Sequence, residues 1–324
     1  MVDGASALRS QRALLPYYAF RTGQALTAIV PRRAAHAVAR LVADGALRTR
    51  PHRFDGLRSN LRHVLPDASD RELELLVRRN VRGIACGWSD VLQLTSHRRQ
   101  MARRLDTVHT DVLEHALARG HGAVVVSLHL GSWEAGLAAW SFSGHQMSVL
   151  AERIRPQRLF DVLVSGRSGL GLEVVTIDTR SMRTADPAAA RRLGASAMRN
   201  VVRVLRANGT IAIAIDRDLI GNGVPAEFFG AQALIPDGVV DVAIRTGAAL
   251  VPTFLINLGT RVCGEMHDEI AYDPDAPREP EVRRVTAELL RVCEDVIRRH
   301  PDQWHVLDPI WTDPPDGARR GAAS

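Results

Sequence analysis

Hydrophobic positions in this chain change their period near residue 121. Upstream, over 14–45 and 70–95, they recur with helical spacing. In the second stretch Leu73, Leu75, Leu76 and Val77 are followed by Val81, Ile84 and Trp88, which puts an apolar stripe along one helix face. A further short helix is expected at 108–119. Downstream, short runs rich in β-branched residues alternate with helical stretches. This predicts strands at 123–128, 147–151, 172–177, 210–215 and 249–256, with helices at 132–143, 156–168, 188–207 and 237–246. A strand pair near 261–272 and a helix over 281–299 follow. Such alternation predicts an α/β protein with a central, mostly parallel sheet flanked by helices on both faces. Residues 180–187 are polar and read as a flexible surface insertion. Residues 313–324, rich in Gly, Ala and Arg, read as a disordered tail.

The 324 residues suit one large α/β domain, read here over 1–312. Within it, 1–63 form a helical arm, 64–120 a helical segment and 121–312 the α/β core. A hydrophobic fraction of 46% with 24% charged residues excludes wholesale disorder. Cys86, Cys263 and Cys293 form no C-x-x-C pair, which argues against a disulfide framework and suits a reducing compartment. All 42 basic residues are arginine, and their distribution is uneven. Residues 1–63 hold eleven arginines against Asp3, Asp44 and Asp55, a local balance of +8, while the remainder is close to neutral.

The arm also carries Leu14, Leu15, Tyr17, Tyr18, Phe20, Leu26, Ile29 and Val30. Basic and apolar residues mixed in this way favour an anionic membrane surface as partner. The plainer alternative is a solvated helical face packed on the main body. Nucleic acid is disfavoured, since aromatic residues are only 5% and no binding motif occurs. No secretory signal is visible, and the best spanning candidate, Ala13 to Val30, is interrupted by Pro16, Arg21 and Gln24. The arm is therefore expected to lie on a bilayer as a peripheral membrane-associating segment.

The richest chemistry lies in Val124-Val125-Val126-Ser127-Leu128-His129-Leu130-Gly131-Ser132-Trp133-Glu134. His129 is placed at a strand's carboxyl end and Glu134 in the first turn of the next helix, with Gly131 allowing the turn between them. Glu134 is then expected to hold one ring nitrogen while the other faces a cleft, the arrangement a general base needs. A second strand, Ile211 to Ile215, ends in Asp216-Arg217-Asp218, charges that must face a polar cleft or one another. Glu152-Arg153 follows a third strand, with Arg167 on the helix beyond; arginines there suit phosphate groups. Phe228 and Phe229, between Gly223 and Gly230, read either as core or as the lining of an acyl tunnel.

Several reaction classes lack their motifs. Gly166-Arg167-Ser168-Gly169-Leu170 fails the last position of a G-x-S-x-G elbow, and a phosphate-binding G-x-x-x-x-G-K-[ST] loop is impossible without lysine. His121, His129 and Glu134 could be grouped as zinc ligands, but their spacing matches no zinc motif, so no metal is expected.

Taken together, the sequence resembles the lysophospholipid acyltransferase superfamily. The closer likeness is to the bacterial branch of lipid A late acyltransferases and phosphatidylinositol mannoside acyltransferases. It runs from about residue 15 to 312. The motifs are Leu57-Arg58-Ser59-Asn60-Leu61 with Leu65-Pro66, His129 to Glu134, Ala151-Glu152-Arg153 and Asp216-Arg217-Asp218. They continue through Val224 to Gly230, Ile235-Pro236-Asp237-Gly238, Arg245-Thr246-Gly247-Ala248 with Val251-Pro252, and His300-Pro301-Asp302-Gln303-Trp304-His305. The resemblance implies acyl transfer from acyl-CoA or acyl carrier protein to a sugar hydroxyl of an anionic membrane glycolipid, a phosphatidylinositol mannoside first of all, with no cofactor beyond the acyl donor as co-substrate. The alternatives are a lysophospholipid or glycosylated secondary metabolite as acceptor, or a non-catalytic membrane-binding protein of the same fold. The resemblance assigns His129, Glu134 and Asp216 as catalytic and Glu152 and Arg167 to the acceptor groove; the residue patterns add Arg153, Arg217, Asp218, Phe228 and Phe229 as candidate substrate-binding residues. The resemblance also implies a peripheral position on the cytoplasmic face of the cell membrane. The chain departs from the mannoside branch in carrying Glu rather than Asp at 134 and Asp rather than Glu at 216.

Overall fold

The computed structural model describes residues 14–218 and 223–311. The expected tail at 313–324 and the start of the arm lie outside the described residues. The strands, in chain order, are β1 (Leu105–Val108), β2 (Ala123–Ser127), β3 (Met147–Glu152), β4 (Glu173–Ile177), β5 (Thr210–Ala214), β6 (Val224–Phe228), β7 (Ala231–Ile235), β8 (Ala249–Leu258) and β9 (Arg261–Met266). Seven of them form the main sheet, in the order β1-β9-β8-β2-β5-β3-β4. Neighbours from β8 to β4 run parallel, whereas β9 runs antiparallel to β8 and takes β1 with it. The expected α/β architecture with a mostly parallel sheet is the observed one.

Alternation along the central strands divides the core into two layers. Val124, Val126 and Leu128 of the β2 segment, with Ile211, Ile213 and Ile215 of the β5 segment, face the helices Pro187–Arg206, Gly238–Thr246 and Arg278–Arg299. Ala123, Val125, Ala212, Ala249 and Val251 face the opposite side, beneath the helices Asp111–Ala118 and Trp133–Trp140. Large residues thus fill one face, and the small alanines of the other leave room under its helices.

Four helices, Leu15–Ile29, Arg32–Thr49, Asp55–Val64 and Asp70–Gln93, form an additional layer. They enclose a smaller core of Ala43, Phe54, Leu57, Leu61, Leu73, Val77 and Val81. Pro31 ends the first helix, so the continuous pattern at 14–45 is two helices rather than one. Ser69 and Glu72 form a reciprocal capping box at the start of Asp70–Gln93. Buried asparagines tie this layer to the body: Asn60 Nδ2 donates to the Val306 and Asp308 carbonyls, and Asn80 Nδ2 to that of Pro301.

Four local expectations change. The strand pair expected near 261–272 is the single strand β9, paired with β8 and β1, and 267–272 form no strand. β1 falls outside the predicted strands, because its short exposed segment has no buried face to impose alternation. Residues 224–235 form a separate antiparallel hairpin of β6 and β7, turned by Phe229 and Gly230 in positive φ. Residues 180–187 are not a surface insertion: the helix Thr179–Thr184 buries Thr179 and Met182, and Asp186 caps the helix that follows.

Candidate active site

Register decides the heart of the site. Ser127 of β2 pairs with Ala214 of β5, and the Ile215 N–H continues the ladder to the Ser127 carbonyl at 3.0 Å. Two residues farther along each strand lie His129 and Asp216, side by side at the carboxyl edge, where parallel sheets gather ligands. Asp216 Oδ1 is 2.7 Å from His129 Nδ1, and Oδ2 accepts from the His129 backbone N–H at 2.8 Å. The Trp304 indole N–H donates to the same Oδ2 at 2.9 Å. Burial would raise the Asp216 carboxyl, but the His129 ring and these donors outweigh it and hold it below the usual carboxylate range. An ionised Asp216 accepts the Nδ1 proton and leaves Nε2 with its lone pair; the His129 side chain remains 38% exposed.

The turn that presents His129 is clamped from three sides. Gly131 has φ +67° and donates to the Gln303 carbonyl at 3.0 Å, while a Cβ there would sit 1.7 Å from the Leu255 carbonyl oxygen. Ser132 N–H bonds that same Leu255 carbonyl at 2.9 Å, and His305 N–H donates to the His129 carbonyl at 2.7 Å. Trp133 Nε1 closes on the Leu128 carbonyl at 2.8 Å. The His129 ring is thereby oriented, through Nδ1 and the clamped backbone, without Glu134.

Glu134 does not hold the imidazole, correcting the expected pairing. Nδ1 is occupied by Asp216, and among the described residues no other side chain donates a hydrogen bond to the Glu134 carboxyl. It is buried in the first turn of Trp133–Trp140. Burial lifts its pKa to about 7, with Arg167 opposing and Asp90 reinforcing that rise. Of the candidate binding residues, Arg167 is the one whose charge bears on Glu134.

Arg217 and Asp218 stand at the polar side of a mostly apolar cavity of about 480 Å³, lined also by Leu150, Met182, Met198, Val201, Ile213 and Ile215. Arg217 also reaches Asp308 at 2.9 Å, and Asp218 Oδ2 accepts from the Gly223 N–H at 2.9 Å. Glu152 and Arg153 lie at the same carboxyl edge, past Leu150 on β3. Glu152 accepts from the Thr179 hydroxyl, while Arg153 Nε is buried without a partner.

A second apolar cavity, about 390 Å³, occupies the small-residue face and is lined by Ser127, Trp133, Gly136, Ala212, Leu255 and Met266 among others. The tunnel reading fails for Phe228, which is 1% exposed and stacked on Trp311 at 5.5 Å and edge-on to Trp304 at 6.2 Å. Phe229 donates its N–H to Glu294 at 2.6 Å and lies beneath the Arg298 guanidinium. Phe228 thus supports the indole that grips Asp216, and Phe229 packs behind it on Trp311.

His121 precedes β2 at the end opposite His129, so the zinc grouping is not assembled. Among the described residues no group of three or more His, Cys, Asp or Glu side chains is placed to hold a metal. The contributor missed by sequence reasoning is Trp304; its signal was the His300-to-His305 motif, which gave no hint that the indole would reach Asp216.

This parallel sheet, with a histidine and a carboxylate at adjacent strand ends, belongs to a known class: residues 7–313 match the bacterial lipid A biosynthesis acyltransferase family, and the chain is a member of it. Its relatives include the phosphatidylinositol mannoside acyltransferases of Mycobacterium tuberculosis, 30% identical over 260 residues covering 79% of this chain and 76% of theirs. That of Mycolicibacterium smegmatis is 30% identical over 262 residues, covering 79% and 78%.

Proposed function

We propose that this acyltransferase moves a fatty acyl group from an acyl thioester, acyl-CoA or acyl carrier protein, to a sugar hydroxyl of a membrane glycolipid, with a phosphatidylinositol mannoside as acceptor. The observation that carries the mechanism is the 2.7 Å bond between His129 Nδ1 and Asp216. It fixes the tautomer in which Nε2 takes a proton. The acceptor O–H gives its proton to Nε2 as its oxygen attacks the thioester carbonyl carbon. Collapse of the tetrahedral intermediate breaks the C–S bond, and the imidazolium returns the proton to the departing thiolate. Asp216 stabilises the transient imidazolium. No covalent acyl-enzyme is required.

An apolar cavity beside Asp216, with Arg217 at its polar side, suits an acyl chain whose thioester carbonyl lies at the strand ends. Membrane association is supported by the helical layer. Leu15, Leu26, Ile29, Val38, Leu41 and Val42 are exposed on its first two helices, and no helix among the described residues is long and apolar enough to cross a bilayer. We place the protein peripherally, on the cytoplasmic face.

Labelled palmitoyl-CoA incubated with a panel of glycolipids tests the reading by product mass. His129→Ala should reduce transfer by about 10²–10⁴-fold with the fold intact by circular dichroism. Full activity in that variant would refute the base role, and transfer confined to non-glycosylated lysophospholipids would refute the acceptor class.

A further inference from the structure

A third cleft, about 640 Å³, opens between the helices Arg32–Thr49 and Asp70–Gln93, above the turns that frame His129. Unlike the two apolar cavities it is lined by arginine. Arg33, His36 and Arg40 occupy one face of the first helix at i, i+3 and i+7, and Arg79, Arg82 and Gly83 face them from the second. Gly131, Ser132, Gln303 and His305 contribute from the catalytic side.

The arginines divide into two sets. Arg32 grips Asp90 with two bonds of 2.7 Å, and Arg82 grips Asp44 at 2.8 and 2.5 Å. These pairs brace the two helices against each other. Arg33, Arg40 and Arg79 have no hydrogen-bond or ion-pair partner among the described residues, and all three are exposed at the rim. Exposed arginines are common in this chain, and a solvated face is the ordinary explanation for one of them. On the last helix, however, Arg283, Arg284, Arg298 and Arg299 are each matched to a carboxylate one turn away. Three unmatched guanidinium groups around one concavity concentrate positive potential instead of dispersing it.

Shape points the same way. A Cβ at Gly83 would lie 2.7 Å from the His305 ring, whereas Gly87 meets nothing within 4 Å, so the wall is recessed where a side chain would fill it. The rim is continuous with the exposed Val38, Leu41 and Val42 of the same helix. A planar guanidinium fork matches a phosphoryl group, and that group lies at headgroup depth when an apolar face contacts a bilayer.

We infer that this arginine-lined cleft binds a phosphoryl group of one substrate, held by Arg33, Arg40 and Arg79, within reach of the turn that carries His129. The inference rests on the acyl-transfer reading for its substrates. The acceptor's phosphodiester and the donor's coenzyme A phosphates offer the same chemistry.

The test uses the full chain and two soluble probes, coenzyme A and dihexanoyl phosphatidylinositol below its micelle concentration, titrated calorimetrically at low salt. The variant is R33Q/R40Q/R79Q, which leaves the Arg32–Asp90 and Arg82–Asp44 braces intact. R206Q/R245Q/R291Q, three exposed arginines elsewhere, matches its net charge. Loss of affinity by about tenfold or more for one probe in the first variant, with the second variant unchanged, supports the cleft. Loss for phosphatidylinositol identifies the acceptor as the source, and loss for coenzyme A the donor. Unchanged affinity for both probes, equal loss in both variants, or no binding of either probe to the parent protein overturns it. Thioester turnover is followed separately. Turnover with no cleft effect sinks this inference alone, and a cleft effect without turnover sinks the acyl-transfer reading alone.

Discussion

Asp216 and Glu134 are both buried carboxylates, one bonded to His129 across the sheet and the other five residues from it in sequence, and their environments drive them in opposite directions. Asp216 is 3% exposed and surrounded by donors: the His129 N–H, the His129 ring and the Trp304 indole. Burial raises its pKa, but those partners more than compensate, so the charged form persists. Glu134 is 8% exposed, receives no hydrogen bond from another side chain among the described residues, and has its pKa raised to about 7. The difference shows that proximity in sequence to a histidine does not give a carboxylate a role on that histidine. Donors decide whether burial leaves it an anion.

Asp216→Asn should break the comparison most severely. The amide cannot stabilise the imidazolium or enforce the tautomer, so kcat should fall by about 10²–10⁴-fold with the fold retained. Thioester turnover checks this, with thermal unfolding as the control for structure. Activity within a few-fold of the parent would show that Asp216 only packs. Trp304→Phe probes the same carboxylate more gently, because it keeps an aromatic ring and deletes the N–H. A hydrogen bond to a charged group contributes about 1.5–3 kcal/mol, so a loss of roughly ten- to a hundredfold in kcat at similar KM is expected. Removing a donor disfavours the ionised form of Asp216. The acid limb of the pH–rate profile should therefore move to higher pH, a displacement that a purely structural defect would not produce.

The sheet was legible because alternation in Ile211-Ala212-Ile213-Ala214-Ile215 and the apolar run at 123–128 admit few other arrangements. His129 and Asp216 at strand ends followed from the same pattern. What the pattern could not supply was register. Only the pairing of Ser127 with Ala214 brings residues 87 positions apart into contact, and that pairing gave Asp216 the role expected of Glu134. Trp304 was harder still, since an indole arriving from the 3₁₀ turn at Pro301–Gln303 reflects the path of the last helix. The Phe228–Phe229 pair carried a true signal of burial but no information on whether the buried face was core or tunnel. The β6–β7 hairpin was missed because its strands bury only part of one face.

Glu134→Gln should have the smallest effect on turnover and the most informative effect on stability. With His129 already oriented by Asp216, replacing Glu134 by its neutral isostere should leave kcat within a few-fold of the parent. In the parent, the folded-state pKa of about 7 lies above the ordinary value of 4.5. The folded protein therefore holds a proton that the unfolded chain releases, and stability falls as pH rises between those values, levelling off above about 7. The substituted amide carries no titrating proton, so the variant's stability should decline less between pH 4.5 and 7. Thermal melts of both proteins across that range measure the difference. Parallel profiles would show that Glu134 is ionised in the folded protein, and a loss of turnover like that of Asp216→Asn would return it to the catalytic pair.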